Sequence, residues 1–134
     1  MLLSLLACDP AFPSPSGTVE TGAVGGWSLL RVVAWPATTC NLPPPPDAMS
    51  DTFPAQERTA YQLGGRTGTS PHKEWCVAAW ATNDREAHTP AAGALYGIRA
   101  FEAPPCDMWP LIEPVDYCGF VPNVDLRLDQ RAPG

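Results

Sequence analysis

The clearest alternation of apolar and polar residues lies near the C-terminus, between residues 124 and 129. Apolar residues at 124, 126 and 128 are separated by polar ones, which is the period of a strand with one buried face. We therefore expect Asp125 to project from the polar face of this strand. Asp116 lies shortly before Gly119, where glycine allows the chain to turn. A turn at Gly119 would bring Asp116 and Asp125 into one cleft.

Four other stretches predict further strands along the chain. One run covers residues 27–35 and ends at Pro36, and three others cover residues 58–63, 75–80 and 95–101. The 17 prolines and 11 glycines disfavour long helices. Five or six short strands with turn residues between them indicate a small all-β barrel or sandwich. We expect one β domain over residues 27–129, followed by a polar tail at 130–134.

The N-terminal region has a different composition. Residues 9–26 are rich in Pro, Ser, Thr and Gly, which is typical of a flexible tether. Before them, the run Leu5-Leu6-Ala7-Cys8 resembles the lipobox of bacterial lipoproteins. That resemblance implies a signal peptide over 1–7, a lipid on Cys8 and a linker over 8–26. A basic start and a long apolar core are missing, so we expect a shortened signal; the alternative is an apolar strand with a buried Cys8.

The cysteine count supports export. Without Cys8, four cysteines remain, at positions 40, 76, 106 and 118, and none forms a C-x-x-C pair. In an oxidising compartment they would form two disulfides, with three possible pairings. We favour Cys106–Cys118, which closes a short loop, together with Cys40–Cys76. The alternative is a cytosolic protein with free buried thiols.

Charge and histidine content exclude some kinds of site. The net charge is -6 and the eight basic residues are scattered, which argues against binding to nucleic acid. His72 and His88 lie in polar loops without further ligands at metal-site spacing. We therefore predict neither a metal nor a cofactor. The five tryptophans would either build the core or line an aromatic groove.

Asp116 and Asp125 are the candidate catalytic residues. Two carboxylates in one cleft repel each other's ionisation, so one of them tends to hold a proton at neutral pH. Such a pair could act as general acid at a glycosidic oxygen. The alternative is that Asp116 caps a turn and that Asp125 is a solvated strand residue.

The order of several short motifs over residues 58–129 resembles the double-psi β-barrel group. This group includes the three-aspartate domain, MltA-type lytic transglycosylases, rare lipoprotein A, and the barwin and expansin proteins. The resemblance implies that Asp116 and Asp125 line a glycan cleft, with Thr59, Tyr61 and Tyr117 as substrate-binding residues near it. The D-T-G-G-A run of two of these families is absent. The motifs are Thr59-Ala60-Tyr61, Gly64-Gly65-Arg66-Thr67, Val77-Ala78-Ala79, Pro90 with Gly93, Val115-Asp116-Tyr117-Cys118-Gly119 and Val124-Asp125-Leu126.

Three functions remain open for a lipid-anchored protein of the bacterial envelope, periplasmic or on the cell surface. A peptidoglycan lytic transglycosylase or hydrolase predicts both aspartates in one groove beside Trp or Tyr. A glycan-binding module predicts aromatic side chains aligned on one face. A structural or protein-interaction role predicts an exposed apolar patch and no groove.

Overall fold

The computed structural model describes residues 13–22, 26–64, 71–105 and 117–133. Within these ranges the chain forms nine strands and no helix. The described residues therefore include no helix that is long and apolar enough to cross a membrane. The strands are β1 (Pro13–Glu20), β2 (Leu29–Pro36), β3 (Met49–Pro54), β4 (Arg58–Gln62), β5 (Glu74–Thr82), β6 (Leu95–Glu102), β7 (Gly119–Val121), β8 (Leu126–Arg127) and β9 (Gln130–Arg131).

The strands form two sheets. One is a five-stranded antiparallel sheet in the order β3-β2-β5-β6-β9, and the other has the order β4-β1-β7. Strand β8 also pairs with β1, and both β7 and β8 run parallel to it, whereas β4 runs antiparallel. The all-β prediction is thus confirmed.

The described sheets do not close into a barrel, so that part of the predicted fold is wrong. No ladder among the described strands joins β3 to β4, although only residues 55–57 separate them in the chain. On the opposite side, residues 128–129 carry the chain from β8 to β9 in the other sheet. An isolated bridge between Pro105 and Tyr117 also links the segment that follows β6 to the segment that precedes β7. The two layers meet through side chains, and the described ladders do not establish a double-psi arrangement.

The main core lies between the two sheets. Strand β2 contributes Leu30, Val32 and Ala34, and β5 contributes alternate residues from Trp75 to Ala81. The four-stranded sheet adds Val19, Tyr61 and Leu126 from its inner face. The alternation of these residues places them on one face of each strand.

Strand β5 is buried on both faces, because a second cluster covers the outer face of the five-stranded sheet. Its buried members are Val33, Trp35, Cys76, Ala78 and Trp80, and residues 37–48 of the β2–β3 connection pack over them. The predicted disulfide Cys40–Cys76 is confirmed and ties this connection to β5, with a Cα–Cα distance of 5.5 Å. A strand that is buried on both faces appears in the sequence as a continuous apolar run.

Two segments that the composition assigned to a linker and a tail form strands. Pro13–Glu20 lies within the predicted linker at 8–26, yet it is β1, the centre of the four-stranded sheet. Gln130–Arg131 lies in the predicted tail and pairs with β6. Proline has no N–H but can still accept a hydrogen bond through its carbonyl, so a strand can contain proline at alternate positions. The strands that pair with β1 on both sides come from distant parts of the chain. The predicted signal peptide at 1–7 and Cys8 lie outside the described residues.

Candidate functional site

Asp125 lies between β7 and β8 in the chain, and its carboxylate binds β1. Its Oδ1 accepts hydrogen bonds from the backbone N–H of Thr18 at 2.8 Å and from the Thr18 hydroxyl at 3.2 Å. Gly17 allows this close approach: a Cβ there would lie 2.6 Å from the Val124 carbonyl oxygen and 2.7 Å from Asp125 Oδ1. We call residues 124–125 with Gly17 and Thr18 the corner.

Tyr61 and Arg99 hold the backbone of the same corner. The buried Tyr61 hydroxyl donates to the Val124 carbonyl at 2.5 Å, and Arg99 donates to the Asp125 carbonyl at 3.1 Å. Burial raises the pKa of the Tyr61 phenol well above its usual range; Asp125 raises it further and Arg99 partly offsets both effects. The phenol is therefore a neutral donor rather than a proton acceptor at physiological pH.

The remaining predicted site residues have different positions. Thr59 is buried, and its hydroxyl accepts from the Gln56 N–H at 3.1 Å. Tyr117 is half-buried and packs against the main core. Asp116 and Cys106 lie outside the described residues. Cys118 is disulfide-bonded, so the two-disulfide prediction is supported, but its pairing with Cys106 stays a prediction.

The described part of the corner shows a structural arrangement. Tyr61 contacts the Val124–Asp125 segment through the Val124 carbonyl. Thr59 instead forms hydrogen bonds with Gln56, three residues before it. No group of three or more potential metal ligands occurs among the described residues. The hydrogen bonds of the corner thus stabilise the backbone of β1 and of residues 124–125. The predicted pairing of Asp125 with Asp116 stays a prediction.

The described tryptophans build the interior. Trp75 lies in the main core, while Trp35 and Trp80 lie in the outer-face cluster, and each is no more than 4% exposed. Trp27 is partly buried against the main core. None of these four rings forms an aligned aromatic platform on the surface.

A different feature is found five residues before Asp125. Phe120 in β7 is 73% exposed, and it is the one exposed large hydrophobic residue in the described ranges. Its neighbour Val121 packs against the main core instead. Successive residues of a strand point to opposite faces, so the short strand turns the partly buried Val121 toward the core and presents Phe120 to solvent.

The backbone of Phe120 also faces outward. Strand β7 pairs in parallel with Pro13, Ser14 and Pro15 of β1. Pro13 and Pro15 have no N–H, so the ladder hydrogen bonds must run through Ser14 to the flanking residues of β7. The N–H and C=O of Phe120 therefore point away from β1. No further strand pairs with this edge of β7 in the described part of the chain.

Beside this edge lies a cleft of about 390 Å³ between β7 and the end of β6. The carbonyl of its lining residue Pro104 accepts a hydrogen bond from the Cys118 N–H at 2.9 Å. Lys73 and Glu102 stand at its rim with 3.9 Å between Nζ and Oε1, and both side chains are more than half exposed. We call β7 and this cleft the Phe120 edge. The lining residues are Lys73, Glu102, Ala103, Pro104, Pro105, Phe120, Val121 and Pro122.

No family model, curated protein or solved structure matches the chain.

Sequence reasoning missed the Phe120 edge. The segment Gly119-Phe120-Val121-Pro122 is too short to show a periodic pattern. The useful signal lay in β1, where Pro13 and Pro15 alternate with serine. Alternating prolines allow β1 to form ladder hydrogen bonds only through the residues between them. Only the observed register shows that Phe120 is the β7 residue whose backbone groups do not bond to β1.

Proposed function

We propose that this chain is a non-catalytic interaction module of the bacterial cell envelope, and that it binds an extended peptide segment of an envelope protein along β7. The observation that carries the proposal is the exposed Phe120 on a strand edge whose backbone groups have no strand partner in the described ranges.

Strand addition fits the chemistry of the Phe120 edge. A peptide lying along β7 would exchange two hydrogen bonds with the N–H and C=O of Phe120, as in other cases of β-augmentation. The phenyl ring would lose its contact with water, and an apolar side chain of the peptide would enter the proline-walled cleft. Backbone pairing would supply affinity, and the cleft would supply selectivity.

The other described sheet edges are less suited to this role. In β4, Arg58, Ala60 and Gln62 are exposed, and none is a large apolar residue. In β3, the exposed residues are Ser50, Asp51 and Pro54. Charged residues and proline are common ways to protect an edge from pairing.

The envelope location rests on the cysteines and the N-terminal motif. The Cys40–Cys76 disulfide is typical of proteins from oxidising compartments. The lipobox-like run before Cys8 supports a lipid anchor, which would place the domain at a periplasmic or outer surface. A membrane-tethered module that presents one apolar edge is suited to holding a partner protein near the membrane.

Peptidoglycan cleavage receives less support. An acid at position 125 would need its carboxylate free for substrate, whereas Oδ1 already accepts two hydrogen bonds from Thr18. The resemblance to glycan-active double-psi proteins keeps cleavage as the alternative function, with Asp116 and Asp125 as its catalytic pair.

Peptide selection tests the proposal. The full chain with Cys8→Ser, which prevents lipid attachment, would be used to select binders from a random linear peptide library, and affinities measured by calorimetry. We expect Phe120→Ala to weaken the best peptide at least about tenfold, because truncation of a central aromatic anchor commonly has such an effect. Gln62→Ala on the β4 edge is the matched control and should leave the affinity unchanged.

The backbone contribution can be tested separately. Peptides carrying N-methyl groups at every second residue would block one set of backbone donors at a time. Strand addition requires one set to abolish binding and the other to retain it. Equal loss with both sets, or equal binding by Phe120→Ala, would refute strand addition at β7.

The same preparation can be tested on purified peptidoglycan. We expect neither release of soluble glycan nor pelleting of the protein with the polymer. Glycan release that is lost in both Asp116→Asn and Asp125→Asn would establish the enzyme instead.

A further inference from the structure

The outer face of the five-stranded sheet is covered by residues 37–48, which we call the strap. Beneath the strap lie the buried side chains of Val33, Trp35 and Trp80, with Tyr96 and Ile98 partly buried beside them. From the strap, Ala37, Cys40, Leu42 and Ala48 pack against this cluster. Removing the strap would therefore uncover a largely apolar sheet face.

The strap has few polar ties to the sheet. Its first residue, Ala37, donates its N–H to the Glu74 carbonyl at 3.1 Å. The other described backbone hydrogen bond of the strap, from Ala48 to Pro45, is internal. Residues 43–46 are four consecutive prolines, which have no N–H to donate. The middle of the strap thus cannot pair with the sheet as a strand.

The disulfide is consequently the main tie in the middle of the strap. Cys76 lies in β5, the central strand, with none of its surface exposed, whereas Cys40 is partly exposed. Of the two cysteines, Cys40 is therefore the more accessible to a thiol reagent from solution. The inter-sheet core lies on the opposite face of the same sheet and contains neither of these cysteines.

We propose that the strap is a redox-controlled cover: reduction of Cys40–Cys76 by a dithiol releases the strap and exposes the outer face, while the two-sheet core stays folded. One thiolate of the reductant attacks the Cys40 sulfur, the S–S bond breaks, and the Cys76 sulfur leaves and takes up a proton. The second reductant thiol then displaces Cys40, so the dithiol is oxidised to a disulfide and two cysteine thiols are formed. This cover is separate from the Phe120 edge and does not depend on the proposed function.

A double variant, Cys40→Ala with Cys76→Ala, opens the tie without a reductant and leaves Cys118 unaltered. Amide hydrogen exchange of the full chain with Cys8→Ser would be compared with and without these two changes. We expect exchange to rise at least tenfold at the amides of Ala37 and Ala48, the two strap amides that donate to described backbone carbonyls. Strands β1 and β4 should keep their protection. An apolar fluorescent dye should bind the variant and not the parent.

Unchanged exchange at Ala37 and Ala48 without dye binding would overturn the proposal, because packing alone would then hold the strap. Loss of protection in β1 and β4 as well would also overturn it, because the disulfide would then support the whole fold. Leu42→Ser is a second probe that keeps the disulfide. It should raise exchange in the strap by much less than the double alanine variant, and an equal rise would contradict the assigned role of the disulfide.

Discussion

The corner at Asp125 and the edge at Phe120 lie five residues apart and have opposite surroundings. At the corner, the Asp125 carboxylate, both neighbouring carbonyls and the Tyr61 hydroxyl all have partners. At the edge, an aromatic ring is exposed and the backbone groups of Phe120 point away from β1. The corner has a structural arrangement, because the Val124 and Asp125 carbonyls, the Tyr61 hydroxyl and Asp125 Oδ1 already have partners. The edge retains groups that a partner could use.

This difference shows that chemically interesting residue types are a poor guide to function by themselves. A carboxylate is prominent in a sequence, yet Asp125 holds the first strand of the four-stranded sheet. Phenylalanine suggests a core residue, yet Phe120 is solvent-exposed. Substitutions in both regions can test the contrast through stability and binding.

Gly17→Ala should have the largest effect on stability. The added methyl group would lie 2.6 Å from the Val124 carbonyl oxygen and force β1 away from the corner. We expect the free energy of unfolding to fall by about 2–3 kcal/mol, as for other overpacked sites. Chemical denaturation would measure this. Gly64→Ala is the control, since a Cβ there meets no atom within 4 Å; equal effects of the two would contradict the close approach.

Asp125→Ala should lower the free energy of unfolding by about 1–2 kcal/mol, because the Thr18 N–H loses its acceptor. Asp125→Asn should cost less than half as much, because its amide oxygen can still accept from Thr18. Thermal or denaturant unfolding of the pair would show this order. If the asparagine variant were the less stable of the two, the negative charge rather than the acceptor would matter.

Tyr61→Phe should lower the free energy of unfolding by about 1 kcal/mol at neutral pH, because the Val124 carbonyl loses its donor. The pH dependence adds a second test. Since the folded protein raises the pKa of Tyr61 above its unfolded value of about 10, this residue stabilises the fold fully below that pH. Its contribution then declines as the pH rises. Denaturation between pH 9 and 11 should show a steeper loss of stability in the parent than in Tyr61→Phe; parallel curves would contradict the shifted pKa.

Phe120→Ala should have the smallest effect on stability, within about 0.5 kcal/mol, because the ring makes few contacts that folding creates. Peptide binding should nevertheless be weakened at least about tenfold, as described above. A large loss of stability together with the loss of binding would mean that Phe120 supports the fold rather than a partner.

Much of the five-stranded sheet could be predicted locally. The apolar runs before Pro36 and around Trp75–Trp80 are strands β2 and β5, because both faces of the central part of this sheet are covered. The alternation at residues 124–128 is also present, with buried residues at 124, 126 and 128, although only Leu126–Arg127 pairs as a strand. Even cysteine number and spacing were sufficient to propose the Cys40–Cys76 bond.

The four-stranded sheet and both candidate sites required tertiary information. Strand β1 has the composition of a linker, and it becomes a strand because β4, β7 and β8 all pair with it from distant parts of the chain. The contact of Asp125 with Thr18 spans 107 residues. Local propensity carries no information about such contacts.

The sequence by itself determined that this protein is an all-β chain with a disulfide and an apolar central strand, because burial and turn preferences leave local patterns. Tertiary structure decided which polar groups are already paired and which remain available. Pairing depends on the register between strands far apart in the chain, so it placed Asp125 in a structural corner and left Phe120 at an edge that no other described strand pairs with.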